Sequence, residues 1–281
     1  MLIIKADGRK EPFSLGKIIA SLERIGVKPA QAKQIAQTAK SRFRDIVSSD
    51  EIFHAVIGML KDLDSALASK YNLRRALMQF GPAGYPFEQY MAHVLEALGY
   101  QTMTNQFIKG ACVTHEVDIV AKNTTHDYVV ECKYHNTPGA RSDVKVALYS
   151  WARFQDIKQQ WETKPEHSYE SHNIWLITNT RFTQDAIDYG NCMGMKITGW
   201  GYPRDETLEQ MIHRTQTYPI NIFPGLVNQE TFNKLYQAKL YLAKDLLNKP
   251  IKDLSRKTKI NQGDLTVLVA EAEKLKSDAN G

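Results

Sequence analysis

The stretch HEVDIVAKNTTHDYVVECKYHN, residues 115–136, decides how the middle of this chain folds. Two apolar runs rich in β-forming residues flank a polar turn, which is the pattern of a β-hairpin. Both runs also carry charges at inner positions of the strands, and these residues are Asp118, Glu131 and Lys133. Burying such groups is costly unless they meet partners, so the hairpin is the first candidate for a functional site.

The predicted register of the hairpin brings the two acids together. If the turn is centred between Thr124 and Thr125, Asp118 lies directly opposite Glu131. Opposed residues have Cβ atoms about 5 Å apart, so two carboxylates there repel each other unless a cation lies between them. Lys133 follows Glu131 by two positions and therefore shares its face of the sheet. An acid pair with a lysine beside it suits Mg²⁺ and a phosphate group.

A purely structural interpretation is also open. The same register places Glu116 opposite Lys133, which would form a cross-strand ion pair and leave Asp118 solvated on an edge strand. A slip of one residue would undo the acid pair altogether. The preceding helix favours the site, because Glu88 lies at the margin of its apolar face, where an acid needs a cation. Glu88 can equally be a first-turn glutamate that the helix dipole stabilises.

The segments around the hairpin predict a mixed α/β domain. A helix over FEQYMAHVLEALGY precedes the hairpin, and a long helix over about 142–161, the strand NIWLIT, the helix TQDAIDYG and the strand MKITGW follow it. The order of elements is therefore α, β-hairpin, α, β, α, β. A Gly/Pro cluster at 81–86 marks the start of this domain.

The two ends of the chain are predicted to be mainly helical. Two short strands around a DG turn and four helices precede residue 81. Helices with a break at Lys249-Pro250 fill the segment after about Pro203. We therefore predict an α/β multidomain protein in three parts, namely residues 1–80, 81–205 and 206–281.

The charges are unevenly distributed along the chain. Residues 1–80 carry 14 Lys+Arg against 8 Asp+Glu, residues 81–230 carry 12 against 17, and residues 231–281 carry 10 against 6. Basic ends suit a polyanion such as nucleic acid, although a solvated surface can have the same composition. The apolar runs are too short to span a membrane, and the three cysteines form no CxxC pair. We therefore expect a cytoplasmic protein.

The hairpin residues resemble a known nuclease motif. Asp118 and the run Glu131-Cys132-Lys133 form a D-x₁₂-E-x-K pattern on two strands that follow a helix with Glu88. Over residues 84–203 this resembles the PD-(D/E)xK nuclease superfamily, and within it the Mrr-like restriction endonuclease domains. The resemblance implies that DNA phosphodiester bonds are hydrolysed with Mg²⁺ or Mn²⁺. Asp118 and Glu131 would hold the metal, Glu88 would be an auxiliary ligand, and Lys133 would assist the attacking water. Many Mrr domains have glutamine in place of Glu131, which bears on the subfamily.

The N-terminal segment resembles a different family. Its cations and the start of its first helix could meet phosphates, or they could form an ordinary basic surface. The blocks K-x-DGR-x-EPF-x₃-K, SSDEI and YNLRR, within about residues 1–80, are similar to the ATP-cone regulatory domain. The resemblance implies an ATP or dATP site, and its candidate residues are Lys5, Arg9, Glu11, Ser14, Lys17, Ser49, Ile52, Phe53 and Arg75. Ala6 and Ser14 stand where the family often has arginine and asparagine, so the choice between ATP and dATP stays open.

The C-terminal helices are basic. Residues 231–259 hold eight Lys/Arg against two Asp/Glu. The segment weakly resembles a helix-hairpin-helix DNA-binding unit but lacks a clear GxG hairpin. A module for oligomerisation or packing is the other interpretation.

Together these features predict a DNA endonuclease that ATP or dATP regulates and that serves in restriction or antiviral defence. We expect it to bind DNA and a nucleoside triphosphate, not to bind a membrane, and to form a homo-oligomer, either a dimer or a tetramer. A repair or junction-cleaving nuclease and an RNA-cleaving effector would use the same residues. An inactive DNA-binding regulator that senses nucleotides is the alternative that is not an enzyme.

Overall fold

The computed structural model describes residues 1–163 and 172–277. Its contacts divide the chain into two compact units. One unit joins Met1–Ala76 to the segment from Tyr218 onward, and the other is Leu77–Thr217. This division differs from the predicted three parts because it groups the C-terminal helices with the N-terminal ones.

The N-terminal part of the first unit is a small sheet with four helices. The helices are α1 (Leu15–Arg24), α2 (Pro29–Ser41), α3 (Ser49–Leu63) and α4 (Ser65–Leu77), and the strands are β1 (Leu2–Ile4), β2 (Lys10–Pro12) and β3 (Ile46–Ser48). Strand β1 pairs with β2 in antiparallel fashion and with β3 in parallel. The predicted hairpin and four helices are confirmed. Strand β3 was not predicted, because a three-residue strand shows no periodicity and, unlike β1 and β2, it flanks no hairpin turn signal.

Two serines begin helices in this part as the sequence indicates. Ser14 accepts a hydrogen bond from the backbone N–H of Lys17, 3.3 Å away, and so caps α1. Ser48 and Glu51 form a reciprocal capping box at the start of α3. Such caps satisfy backbone donors that a helix leaves free and are each worth about 1 kcal/mol.

The second unit is built on one mixed sheet. Its elements are α5 (Tyr85–Ala97), β4 (Gln101–Lys109), β5 (Thr114–Lys122), β6 (Asp127–Lys133), β7 (Arg141–Ser142), α6 (Val144–Trp161), β8 (His172–Thr178), β9 (Arg181–Phe182), α7 (Gln184–Cys192), β10 (Lys196–Thr198) and α8 (Leu208–Thr215). The strand order is β10-β8-β6-β5-β4. Strands β4, β5 and β6 form an antiparallel meander, and β8 and β10 extend it in parallel. Strands β7 and β9 form a separate parallel pair.

The predicted hairpin register is confirmed. Val120 pairs with Val129 and Lys122 with Asp127. The side-chain oxygen of Asn123 closes the turn by accepting hydrogen bonds from two backbone N–H groups that follow it. No strand was predicted for residues 101–109, where β4 forms the edge of the sheet.

Apolar packing fixes α6 and α7 against one side of the sheet. Side chains at paired positions of β6, β8 and β10 meet the apolar stripes of both helices, and the buried cluster includes Val129, Ile174, Leu176, Ile197, Val146, Phe154, Ile157 and Ala186. Burying one such aliphatic side chain contributes roughly 1.5–3 kcal/mol. Helix α5 contacts β4, β5 and β6 and buries its own apolar face.

The segment after Tyr218 completes the first unit. It contains α9 (Gln229–Gln237), a short 3₁₀ turn (Ala243–Leu246), α10 (Ile251–Thr258) and α11 (Gln262–Ser277). The side-chain amide of Asn72 donates to the carbonyl of Ile222, 2.9 Å away, and that of Asn221 donates to the carbonyl of Ala76, also 2.9 Å away. Two buried hydrogen bonds therefore tie this segment to α4. Within the two described ranges, no helix has both the length and the apolar run that crossing a lipid bilayer needs.

Candidate active site and nucleotide site

The strands β5 and β6 bring two of the predicted acids to the point where their ladder ends. The last pair of the ladder is Ile119 with Val130, and the next pair in the same register is Asp118 with Glu131. The backbone N–H of Cys132 donates to Asp118 Oδ2, 2.7 Å away. The Asp118 carboxylate therefore accepts a hydrogen bond from β6 just beyond the last pair of the ladder, and this bond fixes its position.

Glu131 is a buried acid that an arginine holds. Its side chain is only 12% exposed, and Arg153 Nη1 of α6 donates to Glu131 Oε2. Burial and, next, the nearby charge of Asp118 raise the pKa of Glu131 to about 7, against the opposing charge of Arg153. Burial also raises the pKa of Asp118, against the hydrogen bond from Cys132 and the charge of Arg153.

Glu88 belongs to the same electrostatic environment. It lies in the first turn of α5, and a Cβ added at Gly84 would come within 3.2 Å of Glu88 Oε1. Burial and, next, the charges of Asp118 and Glu131 raise the pKa of Glu88 to about 7. Because Asp118 also raises the pKa of Glu131, the three acids together create a demand for positive charge.

Hydrogen bonds fix the backbone that follows Lys133 at the end of β6. Asn179 is fully buried and clamps the next turn, because its Oδ1 accepts from the His135 N–H at 2.9 Å and its Nδ2 donates to the His135 carbonyl at 2.8 Å. The hydroxyl of Tyr134 donates to the carbonyl of Met78 at 2.9 Å. The end of β6, which carries Lys133, is therefore held on both sides.

Two residues that the sequence analysis missed complete the surroundings of Glu131. Tyr149 and Arg153 lie one turn apart on α6, with the guanidinium carbon 5.8 Å from the tyrosine ring centroid. Tyr149 also hydrogen-bonds to Glu131, and burial followed by the charge of Glu131 raises the pKa of the phenol. A signal was available for Arg153, because it falls among the buried positions Val146, Ser150, Phe154 and Ile157 of the same helix, whereas Tyr149 is exposed.

The carboxylates suit a divalent cation but are not gathered around one point. Among the described residues, no three or more His, Cys, Asp or Glu side chains form a group that could hold a metal ion. Mg²⁺ needs fewer protein ligands, since one or two carboxylates commonly hold it while waters and phosphate oxygens complete the shell. Asp118 and Glu131 fit that requirement by their oxygen donors and by the raised pKa values that a cation would relieve.

The predicted nucleotide residues form two groups. In the first, Glu11 Oε1 accepts from Lys5 Nζ at 2.8 Å and from Lys17 Nζ at 3.0 Å. Hydrogen bonds from these lysines lower the pKa of Glu11. Ser14 caps the adjacent helix α1, and Arg9 pairs with Asp7 on the turn of the hairpin.

The second group lies on α3 and α4. The guanidinium carbon of Arg75 lies 4.1 Å from the centroid of the Phe53 ring, and Phe53 stacks on Tyr71 at 5.6 Å between centroids. Asp50 pairs with Arg75 and lies 3.3 Å from His54, so the cluster is larger than predicted. Of the other predicted residues, Ser49 begins α3, and Ile52 lies in the buried core with 6% of its surface exposed.

Comparison with known protein families identifies two domains. The sequence matches the ATP cone domain over residues 1–78. It matches the catalytic domain of the Mrr family, described as a restriction endonuclease, over residues 83–199. The chain therefore contains a restriction endonuclease domain preceded by an ATP cone domain.

Individual relatives extend the comparison. An uncharacterized protein of Archaeoglobus fulgidus is 34% identical over 185 residues, which cover 66% of this chain and 99% of that protein. A crystal structure of a protein of unknown function is 32% identical with a TM-score of 0.56, and the match covers 69% of this chain and 98% of that one. A 2-phosphoglycerate kinase of Methanopyrus kandleri is 33% identical over 78 residues, which cover 26% of this chain and 24% of the kinase. The chain belongs to the Mrr-type restriction endonuclease family, with an ATP cone domain in front of the nuclease domain.

Proposed function

We propose that this protein is a divalent-metal-dependent endonuclease that cleaves DNA and that ATP or dATP regulates. The observation that carries the proposal is the juxtaposition of Asp118 and Glu131 at the end of a confirmed ladder, inside a restriction endonuclease domain. Their raised pKa values support a site that needs a cation.

The proposed roles follow from the positions of the side chains. Asp118 and Glu131 would hold Mg²⁺ or Mn²⁺, which neutralises the phosphate and activates a water when bound. Lys133 orients the attacking water and stabilises charge on the phosphate. Glu88 serves as an auxiliary ligand, and with a pKa of about 7 it can also hold a proton near neutral pH. Arg153 keeps the Glu131 carboxylate in one orientation.

The proposed nucleotide site lies in the first unit. Lys5 and Lys17 converge on Glu11, and Phe53 offers a ring face beside the Arg75 guanidinium. Cations suit phosphate groups, and aromatic faces suit a purine base.

We further propose that the C-terminal helices contact duplex DNA. Helices α10 and α11 are joined by the three residues 259–261, and Lys259 takes the left-handed conformation that glycine usually supplies. The hydroxyl of Ser255 donates to the Ile260 carbonyl at 2.7 Å and fixes the turn. The exposed cations of this segment include Lys252, Arg256, Lys257 and Lys259.

Replacing Lys252, Arg256 and Lys257 together by Ala should weaken DNA binding and flatten its salt dependence. Unchanged binding would favour the oligomerisation interpretation.

The proposed setting is restriction or antiviral defence in the cytoplasm, with the protein acting as a dimer or tetramer. The family match supports restriction. Exposed free thiols at Cys112 and Cys192 suit a reducing compartment. A repair or junction-cleaving nuclease, or one that cleaves RNA, would use the same chemistry, so substrates of each kind belong in the first assay.

A second candidate function has one observation in its favour. Because Arg153 already occupies an oxygen of Glu131, the domain could serve as an inactive scaffold in a nucleotide-sensing DNA-binding regulator. Calorimetric titration with Mn²⁺ separates the two candidates. The nuclease predicts binding that Asp118→Asn abolishes, whereas the regulator predicts that Mn²⁺ does not bind at this site.

Cleavage of supercoiled plasmid in Mg²⁺ or Mn²⁺ tests the main proposal. Glu131→Ala should abolish cleavage without loss of the fold. Glu116→Ala is the matched control, because Glu116 is an exposed acid on the neighbouring strand. Full activity in Glu131→Ala, or an equal loss in the two variants, would contradict the assignment of the site.

A further inference from the structure

Strand β4 contains a backbone conformation that strands rarely adopt. Asn105, in the middle of Gln101–Lys109, has a φ of 53°, in the left-handed region. Asparagine and glycine tolerate this region, whereas other residues pay about 1–2 kcal/mol and β-branched ones fit it least. The side chain of Asn105 is exposed, so core packing does not require this residue type. A conformation of this kind persists only where the surrounding structure needs it.

The position of Asn105 in the sheet is opposite Asp118. The β4–β5 ladder runs in two stretches of one register, with Thr104 paired to Ile119 on one side and Gln106 paired to Val117 on the other. The same register places Asn105 across from Asp118, between the two stretches. The β5–β6 ladder also ends beside Asp118, at the pair of Ile119 and Val130. Asp118 therefore lies where regular pairing changes on both edges of β5.

The side chains of β5 change face at the same place. Val117 is buried in the cluster that α6 and α7 form with the sheet, and Val120 packs against that cluster too. In a regular strand, residues three positions apart point to opposite faces. The alternation of side chains between the two faces of β5 is therefore interrupted between Val117 and Val120, and Asp118 lies in the interrupted stretch.

We propose that Asn105 is a positioning residue for the metal-binding carboxylate of Asp118. Its left-handed backbone twists β4 at the point that faces Asp118. This twist allows the side chains of β5 to change face there while the Asp118 carboxylate still accepts the hydrogen bond from the Cys132 N–H, 2.7 Å away. Irregularities beside active sites re-aim side chains in this way. The role in cleavage rests on the proposed function, whereas the effect on Asp118 itself does not.

Three variants of the full-length protein separate backbone conformation from side-chain chemistry. Asn105→Gly keeps the left-handed conformation accessible, and Asn105→Val opposes it. Met103→Val is the control, because Met103 is an exposed residue of the same strand, with 57% of its surface accessible, and valine suits an extended strand there. Circular dichroism establishes that each variant is folded.

The first measurement is amide hydrogen exchange at Cys132 in metal-free protein. Asn105→Val should speed exchange of the Cys132 amide by roughly tenfold or more relative to Met103→Val, which introduces the same side chain. The reason is that the Asp118 carboxylate no longer accepts a hydrogen bond from the Cys132 N–H. Asn105→Gly should resemble the wild type. Unchanged exchange in Asn105→Val would overturn the proposal, whatever the activity.

The second measurement is cleavage in Mn²⁺. Asn105→Val should lower kcat by roughly tenfold or more with little change in KM, because a misplaced catalytic group loses orientation rather than substrate binding. Asn105→Gly and Met103→Val should keep wild-type kcat. Loss of activity in Asn105→Gly as well would show that the amide side chain acts, not the backbone. A wild type that cleaves nothing refutes the proposed function, and the exchange experiment still decides the role of Asn105.

Discussion

At the scale of single residues, Glu131 is subject to opposing effects. Burial and the charge of Asp118 disfavour its ionised form, while Arg153 and Tyr149 favour it. A buried acid with one strong partner loses much of its stabilisation when that partner is removed. The ion pair with Arg153 therefore keeps the carboxylate available in the absence of a cation, but it also competes with one.

That competition gives a prediction for Arg153→Ala. The variant should bind Mn²⁺ more tightly, because an oxygen of Glu131 is released, and it should cleave DNA at least about tenfold more slowly, because the carboxylate loses its fixed orientation. Lys145→Ala is the control, since Lys145 is an exposed cation of the same helix. Calorimetry and initial rates measure the two effects. Weaker Mn²⁺ binding in Arg153→Ala would mean that the arginine supports the metal site.

The raised pKa values of Glu88 and Glu131 predict how the stability of metal-free protein depends on pH. Both values rise from 4.5 to about 7 on folding, so the folded protein binds more protons than the unfolded chain between these limits. The free energy of unfolding should therefore fall as pH rises from about 4.5 to 7, and each unit of pKa shift corresponds to about 1.4 kcal/mol. Urea unfolding at a series of pH values tests this, and Glu131→Gln should flatten the profile. Identical profiles for the wild type and Glu131→Gln over this interval would contradict the assignment.

At the scale of elements, the β1–β2 hairpin and the start of α1 act together. They bring Lys5 and Lys17 to one oxygen of Glu11 and place the capped end of α1 beside them. Backbone N–H groups at a helix start and two lysines suit the phosphates of a nucleotide. Neither the hairpin nor the helix could supply this arrangement alone.

We expect Lys17→Ala to weaken ATP and dATP binding by roughly tenfold, because one charge-assisted contact is worth about 1.5–3 kcal/mol. Lys10→Ala should leave binding within about twofold, since Lys10 is an exposed lysine of the same hairpin. Equilibrium dialysis with labelled nucleotide measures both. Equal losses in the two variants would indicate a diffuse electrostatic effect.

The sequence predicted those parts of the fold that depend on local pattern. The turn at Asn123 and the alternation on both sides of it were sufficient to predict the pairing of β5 with β6, and hence the approach of Asp118 to Glu131. Strand β3 has no turn signal of the kind that marks β1 and β2, so it was not predicted. Strand β4 was missed, and the left-handed Asn105 within it could not be predicted, since asparagine indicates a turn or loop more often than the middle of a strand.

Residues that depend on long-range packing were harder to predict. Arg153 reaches Glu131 only because α6 packs on that face of the sheet, and its place in the apolar stripe is the one signal in the sequence. The grouping of the C-terminal helices with the N-terminal part rests on hydrogen bonds between Asn72 and Ile222 and between Asn221 and Ala76. These pairs lie about half the chain apart, and no local pattern reports them.

At the scale of the whole molecule, one compact unit contains both the proposed nucleotide residues and the basic C-terminal helices. Arg75 of the nucleotide cluster is adjacent in the chain to Ala76, whose carbonyl accepts the hydrogen bond from Asn221. A change at Arg75 on nucleotide binding can therefore reach the C-terminal segment through one residue. Coupling of this kind must be reciprocal in free energy.

This linkage predicts that nucleotide and DNA change each other's affinity by the same factor. Duplex affinity with and without ATP or dATP, and nucleotide affinity with and without duplex, are measured on Glu131→Ala so that the DNA stays intact. Asn221→Ala should reduce the coupling while leaving each separate affinity close to its original value. Independent binding of the two ligands would contradict regulation through this unit.

The proposed cleavage depends on a cation held between Asp118 and Glu131. The most direct test is the rate of cleavage of end-labelled duplex DNA as a function of Mn²⁺ concentration, for the wild type and for Asp118→Asn. We predict saturable, Mn²⁺-dependent cleavage by the wild type and none by Asp118→Asn at any concentration. Equal rates for the two proteins, or cleavage by the wild type in the presence of excess chelator, would contradict the account.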